Sequence, residues 1–230
     1  MQKNEFENIL KEAVNDAELK SSDIPSIDLY VDQIINLQAE KLKEGSARFG
    51  DRQLTKTMIN NYAKDRVITP VKGKKYTKEQ IIQILTVYTL KGTLSIGEIK
   101  RMLHGAYAAE GFDGNSLVEL YDKYTSSKEN SRESAQGIVA QMLEDNSLDI
   151  ENDDDYFVAV AAICAMSAFM KNIAQAMIEA KYPEPAEESE SDKEKKDKKD
   201  KEKKDKKDKK DKKDKKKKSA NEGAEANKDE

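Results

Sequence analysis

The chain has no tryptophan, one cysteine and one histidine among its 230 residues. A lone cysteine, Cys164, leaves no disulfide within the chain, which suits a reducing compartment. A lone histidine, His104, with no cysteine or carboxylate motif beside it, supports neither a metal site nor a catalytic triad. The sequence also has no glycine-rich phosphate loop, nucleophile elbow or metal-ligand motif. These absences predict a protein that is not an enzyme and that binds no metal or other cofactor.

Long apolar segments are scarce as well. The first residues, MQKNEF, lack the apolar core of a signal peptide, so we expect a cytoplasmic protein. The longest uncharged apolar run, Tyr156–Met170, has fifteen residues, whereas a membrane span needs about twenty. We therefore expect no membrane partner. A helix that is apolar on all sides is instead buried in a core or in a dimer interface, and Cys164 within it is expected to be a buried, inert thiol.

The C-terminal segment lacks the means to form a core. Residues 184–230 contain no aromatic residue and no aliphatic residue larger than alanine. Such a segment cannot bury enough apolar area to offset its ordering entropy, so we predict a disordered tail over residues 183–230. Lys193–Lys218 holds eighteen lysines and eight acidic residues, a net charge of +10. The tail is either a solvated extension or a non-specific tether to a polyanion.

The charge that is present is unevenly distributed. Residues 48–101, here named the basic island, hold twelve basic and four acidic residues, a net charge of +8. The rest of the body, residues 1–47 and 102–182, holds ten basic and twenty-four acidic residues, a net charge of −14. A basic island in an acidic protein indicates contact with a polyanion.

The island begins with a short helix pattern. Thr55 is placed to cap a helix from Lys56 to about Asp65. Met58, Ile59 and Tyr62 share one side of that helix, and the polar residues share another, at the spacing i, i+4, i+8 (Lys56, Asn60, Lys64). The pattern therefore predicts a helix with a buried face and a polar face.

A basic turn and two further helices follow. Pro70 ends the helical pattern, and Val71–Tyr76 is a short basic turn around a central glycine, predicted to form a hairpin. Thr77 and Gln80 form a capping box, as do Ser95 and Glu98, so each pair opens a helix. A polar-faced helix, a basic hairpin and an apolar helix, in this order, are typical of a winged helix-turn-helix.

These residues resemble the DNA-binding head of MerR-type regulators. The resemblance is carried by the end of the short helix, the apolar pair with proline, the basic turn ending in tyrosine and the second capping box (Tyr62; Val67, Ile68, Pro70; Lys74–Tyr76; Leu94–Ile99). With residues 24–30, IPSIDLY, the chain resembles more closely an uncharacterised MerR-like family of Gram-positive bacteria, known mainly as a domain of unknown function. The resemblance spans Ile24 to Leu103 and implies a mainly α-helical fold that binds double-stranded DNA.

The chain departs from the MerR pattern at two places. Asn60 and Asn61 replace the usual Arg-Tyr pair, and the connection from Gly45 to Gln53 is long. DNA binding therefore carries over by pattern, whereas the sequence of the operator does not. The metal-sensing members have a cluster of cysteine and histidine that this chain lacks, so metal sensing does not carry over.

Site residues follow from the pattern and from nucleic-acid chemistry. Asparagine can bond adenine with two hydrogen bonds and lysine can reach guanine, so the helix offers four candidates for base contacts: Lys56, Thr57, Asn60 and Asn61. The candidates for contacts with the DNA backbone are basic or lie in the turn: Arg52, Lys64, Arg66, Lys72, Lys74, Lys75, Tyr76 and Lys78.

The flanking segments complete the predicted organisation. Residues 1–23 form an N-terminal helical segment, and Ile27–Lys43 forms the first helix of the winged helix-turn-helix domain, residues 24–104. Residues 105–182 form a helical dimerisation or regulatory domain, with a capping box at Ser116 and Glu119, a separate helix over Ser131–Glu144 and a last helix from Tyr156. The acidic run Asp145–Asp155 does not match the residue pattern of a calcium-binding loop, and we interpret it as the start of that last helix.

Two functions remain open from the sequence, and a third and weaker one is a membrane-associated protein that inserts Tyr156–Met170. The leading hypothesis is a sequence-specific, DNA-binding transcriptional regulator that forms a homodimer and responds to an unidentified effector or protein partner. The alternative is a helical adaptor that binds an acidic protein through the same fold and reads no DNA sequence.

Overall fold

The computed structural model describes residues 2–184. This part of the chain contains seven α-helices and one two-stranded sheet, which confirms the mainly α-helical fold. The helices are α1 (Lys3–Val14), α2 (Val31–Leu42), α3 (Lys56–Lys64), α4 (Lys78–Leu90), α5 (Ile96–Tyr107), α6 (Gly114–Asp145) and α7 (Asp153–Lys181), and the strands are β1 (Leu29–Tyr30) and β2 (Lys75–Tyr76). The prediction of a disordered tail falls almost entirely outside the described residues.

The predicted starts of α3, α4 and α5 are confirmed by their caps. In each case a hydroxyl accepts a hydrogen bond from the backbone N–H three residues later, at 3.2 Å for Thr55, 3.4 Å for Thr77 and 3.2 Å for Ser95. At α4 and α5 the side chain of the third residue also accepts from the backbone of the capping residue, which completes the capping box.

The start of α2 differs from the prediction. Leu29 and Tyr30 are extended and pair antiparallel with Tyr76 and Lys75, so the helix begins only at Val31. The pairing turns Leu29 into the core and leaves Tyr30 48% exposed, as the alternation of a strand requires. Ile27, the predicted first residue of this helix, lies before the strand and is 68% exposed. A partner strand that is remote in sequence has overridden the local helical spacing.

The prediction of two helices after residue 113 was wrong, because α6 runs unbroken for 32 residues. The cap is Asp113, whose carboxylate accepts a hydrogen bond from the Ser116 N–H at 2.8 Å. The polar middle of α6 stays helical because two of its side chains bind residues at and just after the end of α1. Lys128 pairs with Asp16 at 2.7 Å, and the Arg132 Nε donates to the Val14 carbonyl at 2.8 Å.

The core is built around α4. Five aliphatic residues of this helix are buried, on more than one face: Ile81, Ile82, Ile84, Leu85 and Val87. Neighbouring elements cover them, since α3, α5 and α6 all contact α4. Contacts between α6 and α1 and between α7 and α5 also join the predicted segments, and Met1–Pro183 forms one compact unit.

The last helix is mostly uncovered. Only Ala159 and Ile178 of α7 are buried, whereas Phe157 is 74% exposed and Phe169 is 59% exposed. Cys164 is also exposed, so the prediction of a buried thiol was wrong. The physical reason is that most of the middle of α7 faces solvent in the described part of a single chain. By length and composition α7 could cross a membrane, for which a single such helix is weak evidence.

A buried glutamine connects α2 to the segment that leads into α3. The Gln38 side chain is 4% exposed, and its Oε1 accepts a hydrogen bond from the Leu54 N–H at 3.2 Å. Its Nε2 lies 3.3 Å from the Tyr88 hydroxyl. The amide therefore satisfies backbone and side-chain groups that have lost their water.

We expect Gln38→Leu to lower the free energy of unfolding by about 1–3 kcal/mol, because the Leu54 N–H loses its acceptor while it remains buried. Urea denaturation measures the change. Asn36→Leu, at an exposed position of the same helix, is the control and should change stability by less than about 0.5 kcal/mol. Equal stability of the two variants would show that this hydrogen bond contributes nothing.

Candidate nucleic-acid interface

With the exception of Arg101, the cations of the basic island form no ion pair with a carboxylate of the described residues. Ion pairs among the described residues use cations outside the island: Lys20, Lys41, Lys43, Lys128 and Arg132. Apart from Arg101, no basic residue of the island forms an ion pair within residues 2–184. Five of the ten cations of the acidic body are thus paired, whereas the island, with a net charge of +8, keeps most of its positive charge for an external partner.

The two faces of α3 separate as predicted. Ile59 is fully buried and Tyr62 is 5% exposed, and burial raises the pKa of the Tyr62 phenol to about 12. The four candidates for base contacts, Lys56, Thr57, Asn60 and Asn61, are all exposed. Lys64, the candidate for contact with the DNA backbone on the same helix, is exposed as well. The helix therefore presents polar side chains to solvent from a backbone that is fixed in the core.

The basic turn after α3 is not the predicted hairpin. Val67 and Ile68 are buried in the core, and the strand after the turn pairs with β1 instead of with these residues. The physical reason is that the segment before the turn is held by α4 glutamines. The Thr69 N–H donates to the Gln83 Oε1 at 2.7 Å, and the Gln80 Nε2 donates to the Pro70 carbonyl at 3.0 Å. The turn is therefore anchored by side chains and not by a second strand.

Three of the four residues of this turn that were predicted to contact the DNA backbone lie on the surface. Lys72, Lys74 and Lys75 are exposed, and Gly73 takes a φ of +85°, which a residue with a side chain rarely adopts. Tyr76 differs, because it is 8% exposed, and burial raises the pKa of its phenol. Its side chain packs in the core, so we remove it from the candidates for backbone contacts.

The remaining candidates for contacts with the DNA backbone are spread around this surface. Arg66 is exposed beside the C-terminal end of α3, with a φ of +55°, and Lys78 is the first residue of α4 and half-buried. Arg52 lies before α3, with its guanidinium 4.8 Å from the centre of the Phe49 ring. The cations therefore come from the connection before α3, from α3 itself, from the turn and from the start of α4.

Three residues that the sequence did not indicate also shape this surface. The Lys75 Nζ lies 5.0 Å from the centre of the Tyr30 ring, so strand pairing places an aromatic residue beside the turn. The Lys100 Nζ donates to the Asp65 carbonyl at 2.7 Å, and the His104 Nε2 lies 3.0 Å from the Arg66 carbonyl. Lysine and histidine four residues apart share one helix face, but nothing in that spacing shows that they brace the end of α3.

The acidic run before α7 acts as a helix start. Asp153, Asp154 and Asp155 occupy the first turn of α7, and the Asn152 side chain accepts hydrogen bonds from two of their backbone N–H groups. Carboxylates in the first turn stabilise the positive end of the helix dipole. Among the described residues, no group of three or more His, Cys, Asp or Glu is arranged to hold a metal ion.

Comparison with protein families identifies one domain. Residues 19–124 match the model of a domain of unknown function, DUF1836. Comparisons with curated proteins and with solved structures give no significant match. The matched residues extend from β1 and α2 through the basic island to the first third of α6. The match covers 106 of the 230 residues, and these matched residues carry the exposed face of α3, the basic turn and the cations around them.

Proposed function

We propose that the protein is a sequence-specific, DNA-binding transcriptional regulator with a MerR-like helix-turn-helix, in which the basic turn takes the place of the wing hairpin. The observation that carries the proposal is the exposed set of unpaired cations around a helix whose outer face is polar. DNA supplies about one negative charge per 1.7 Å of its length, so such a surface gains most from a nucleic-acid partner. The function is binding rather than catalysis, and it places the protein in the bacterial cytoplasm.

The exposed side chains divide into two roles. In the proposed complex α3 enters the major groove, where Asn60 and Asn61 bond base edges and Lys56 and Thr57 extend the contact. The basic turn lies on the phosphate backbone through Lys72, Lys74 and Lys75, and further phosphates are bound by the cations on either side: Arg52, Lys64, Arg66 and Lys78.

The proposed complex contains two copies of the chain. Helix-turn-helix proteins bind two-fold symmetric DNA sites as dimers. The large exposed apolar surface of α7 is of the kind that marks a protein–protein interface. We propose that α7 pairs with its counterpart in a second copy.

Selection of bound duplexes from a random-sequence library, followed by salt titration, tests the proposed function. We expect one enriched motif and an affinity that falls steeply as salt increases. Retention on DNA without an enriched motif would exclude sequence reading. An absence of duplex binding near physiological salt would favour the adaptor, in which the same fold binds an acidic protein.

Alanine substitutions at two adjacent residues of α3 should have different effects, one on DNA binding and the other on stability. Asn60→Ala should cost about 1–3 kcal/mol of binding on the preferred site, relax the preference at one base position and leave the salt dependence unchanged, because it removes a neutral contact with a base. Ile59→Ala, at a fully buried position, should instead lower the free energy of unfolding by about 2–5 kcal/mol. Thermal melting and duplex titrations separate the two. Equal loss on preferred and scrambled duplexes for Asn60→Ala would show that α3 does not read the sequence.

A further inference from the structure

A cavity of about 490 Å³ lies beneath the segment that leads into α3. Its walls come from residues 16–19, α2, residues 49–53 and the C-terminal end of α4, and Met58 of α3 also lines it. This volume is within the range of pockets that hold small organic molecules, about 300–1,000 Å³.

Some of the charges in the cavity wall are already paired. Lys128 binds Asp16 at 2.7 Å and Glu18 at 2.9 Å, and Lys41 binds Glu44 at 2.7 Å. These groups satisfy one another and have no need of a ligand.

Two cations of the cavity wall are not paired. Lys91 and Arg52 form no ion pair with any residue in 2–184. The Lys91 Nζ lies 5.3 Å from the centre of the Tyr88 ring and 3.1 Å from the Met58 sulfur, and the Arg52 guanidinium lies over the Phe49 ring. Tyr88 connects the two sites, because its hydroxyl donates to the Arg52 carbonyl.

Charge and shape together define the ligand. The wall holds four cations and three carboxylates, so it is positive by one charge, with Asp51 as the third, exposed acid. Apolar contact is available from Leu85, Met58 and Phe49, all in the same wall. Burial lowers the pKa of the Lys91 ammonium, as expected for a partly buried cation that has no ion-pair partner among the described residues.

We propose that this cavity binds a small organic anion with an apolar body, whose acid group lies against Lys91. The apolar body packs on Leu85, Met58 and the Phe49 ring. Since Met58 belongs to α3, an occupied cavity contacts the helix assigned to the DNA major groove. An effect of the anion on DNA affinity rests on the proposed function, whereas the binding site itself does not.

Calorimetric titration of the full chain with 1-naphthoate and its neutral analogue 1-naphthamide tests the proposal without DNA. The wild type should bind the anion about tenfold more tightly than the amide, as expected for one charge-assisted contact. Lys91→Gln should abolish the preference, and Lys91→Arg should keep it. Lys123→Gln removes the same charge from an exposed position outside the cavity and should leave the preference unchanged.

Each result decides the proposal. Binding to the apolar surface of α7 would be similar for anion and amide and insensitive to Lys91, which would overturn it. No detectable binding of 1-naphthoate to the wild type at millimolar concentration would overturn it as well. A cooperative melting transition in each variant shows that the folded protein was titrated, and Lys91→Arg provides the comparison if Lys91→Gln does not fold.

Discussion

Replacing Lys72, Lys74 and Lys75 together with alanine is expected to weaken duplex binding on the order of a hundredfold near 0.15 M salt. The three side chains are exposed and have no ion-pair partner among residues 2–184. Each phosphate contact releases counterions, so the slope of log affinity against log salt should decrease by about 0.9 per lysine, or about 2.7 in all. The loss should be equal on preferred and scrambled duplexes, because phosphates carry no sequence information.

A charge-matched variant controls for this experiment. Replacing Lys3, Lys11 and Lys123 with alanine removes the same charge from exposed positions outside the basic island. This variant should keep nearly the wild-type slope. Equal slopes for the two triple variants would show that the basic turn does not contact the backbone. A loss confined to the preferred duplex would assign the turn to base reading.

The double substitution Phe169→Asp and Met170→Asp should convert a homodimer into a monomer. These adjacent residues are 59% and 56% exposed in the single chain, so the change leaves the core of each protomer untouched. Two apolar anchors buried in an interface each contribute about 2 kcal/mol or more, so the dissociation constant should rise by roughly a hundredfold to a thousandfold. Light scattering over a range of concentrations measures the change.

The control removes apolar surface elsewhere. Ile9 and Leu120 are 41% and 44% exposed, on α1 and on the first half of α6. Replacing both with aspartate should leave the dimer intact. A wild-type chain that is monomeric at micromolar concentration, with and without DNA, would contradict the dimer. A requirement for detergent would favour membrane insertion of α7 instead.

The two experiments also separate the parts of the proposed function. A monomer that retains a preferred half-site would show that α3 reads DNA without the second copy. Loss of α7 pairing should then weaken binding to the full site far more than binding to one half-site, since the two halves no longer bind as a unit.

The starts of α3, α4 and α5 and the buried face of α3 were decided by the sequence alone. Thr55, Thr77 and Ser95 each cap a backbone N–H three residues away, and such contacts are complete within one turn of chain. Ile59 and Tyr62 follow the helical period, so their burial could be read from spacing. The concentration of charge in the basic island was also visible, because it requires only counting.

The tertiary structure decided the features that depend on distant partners. Leu29 leaves the helical pattern because it pairs with Tyr76, and α6 passes through a polar segment because Lys128 and Arg132 bind residues more than a hundred positions earlier. Local periodicity contains no information about contacts of this kind, whose formation depends on the rest of the fold.

The same reasoning applies to exposure and to unpaired charge. The apolar sequence of α7 predicted burial, yet burial requires neighbouring elements that cover the helix, and most of its middle faces solvent in the described part of one chain. Lys91 and Lys75 are chemically alike in the sequence, but one lies in a cavity wall beside Tyr88 and the other on the surface beside Tyr30. Residue type sets what a side chain can bind, and packing decides which partners remain within its reach.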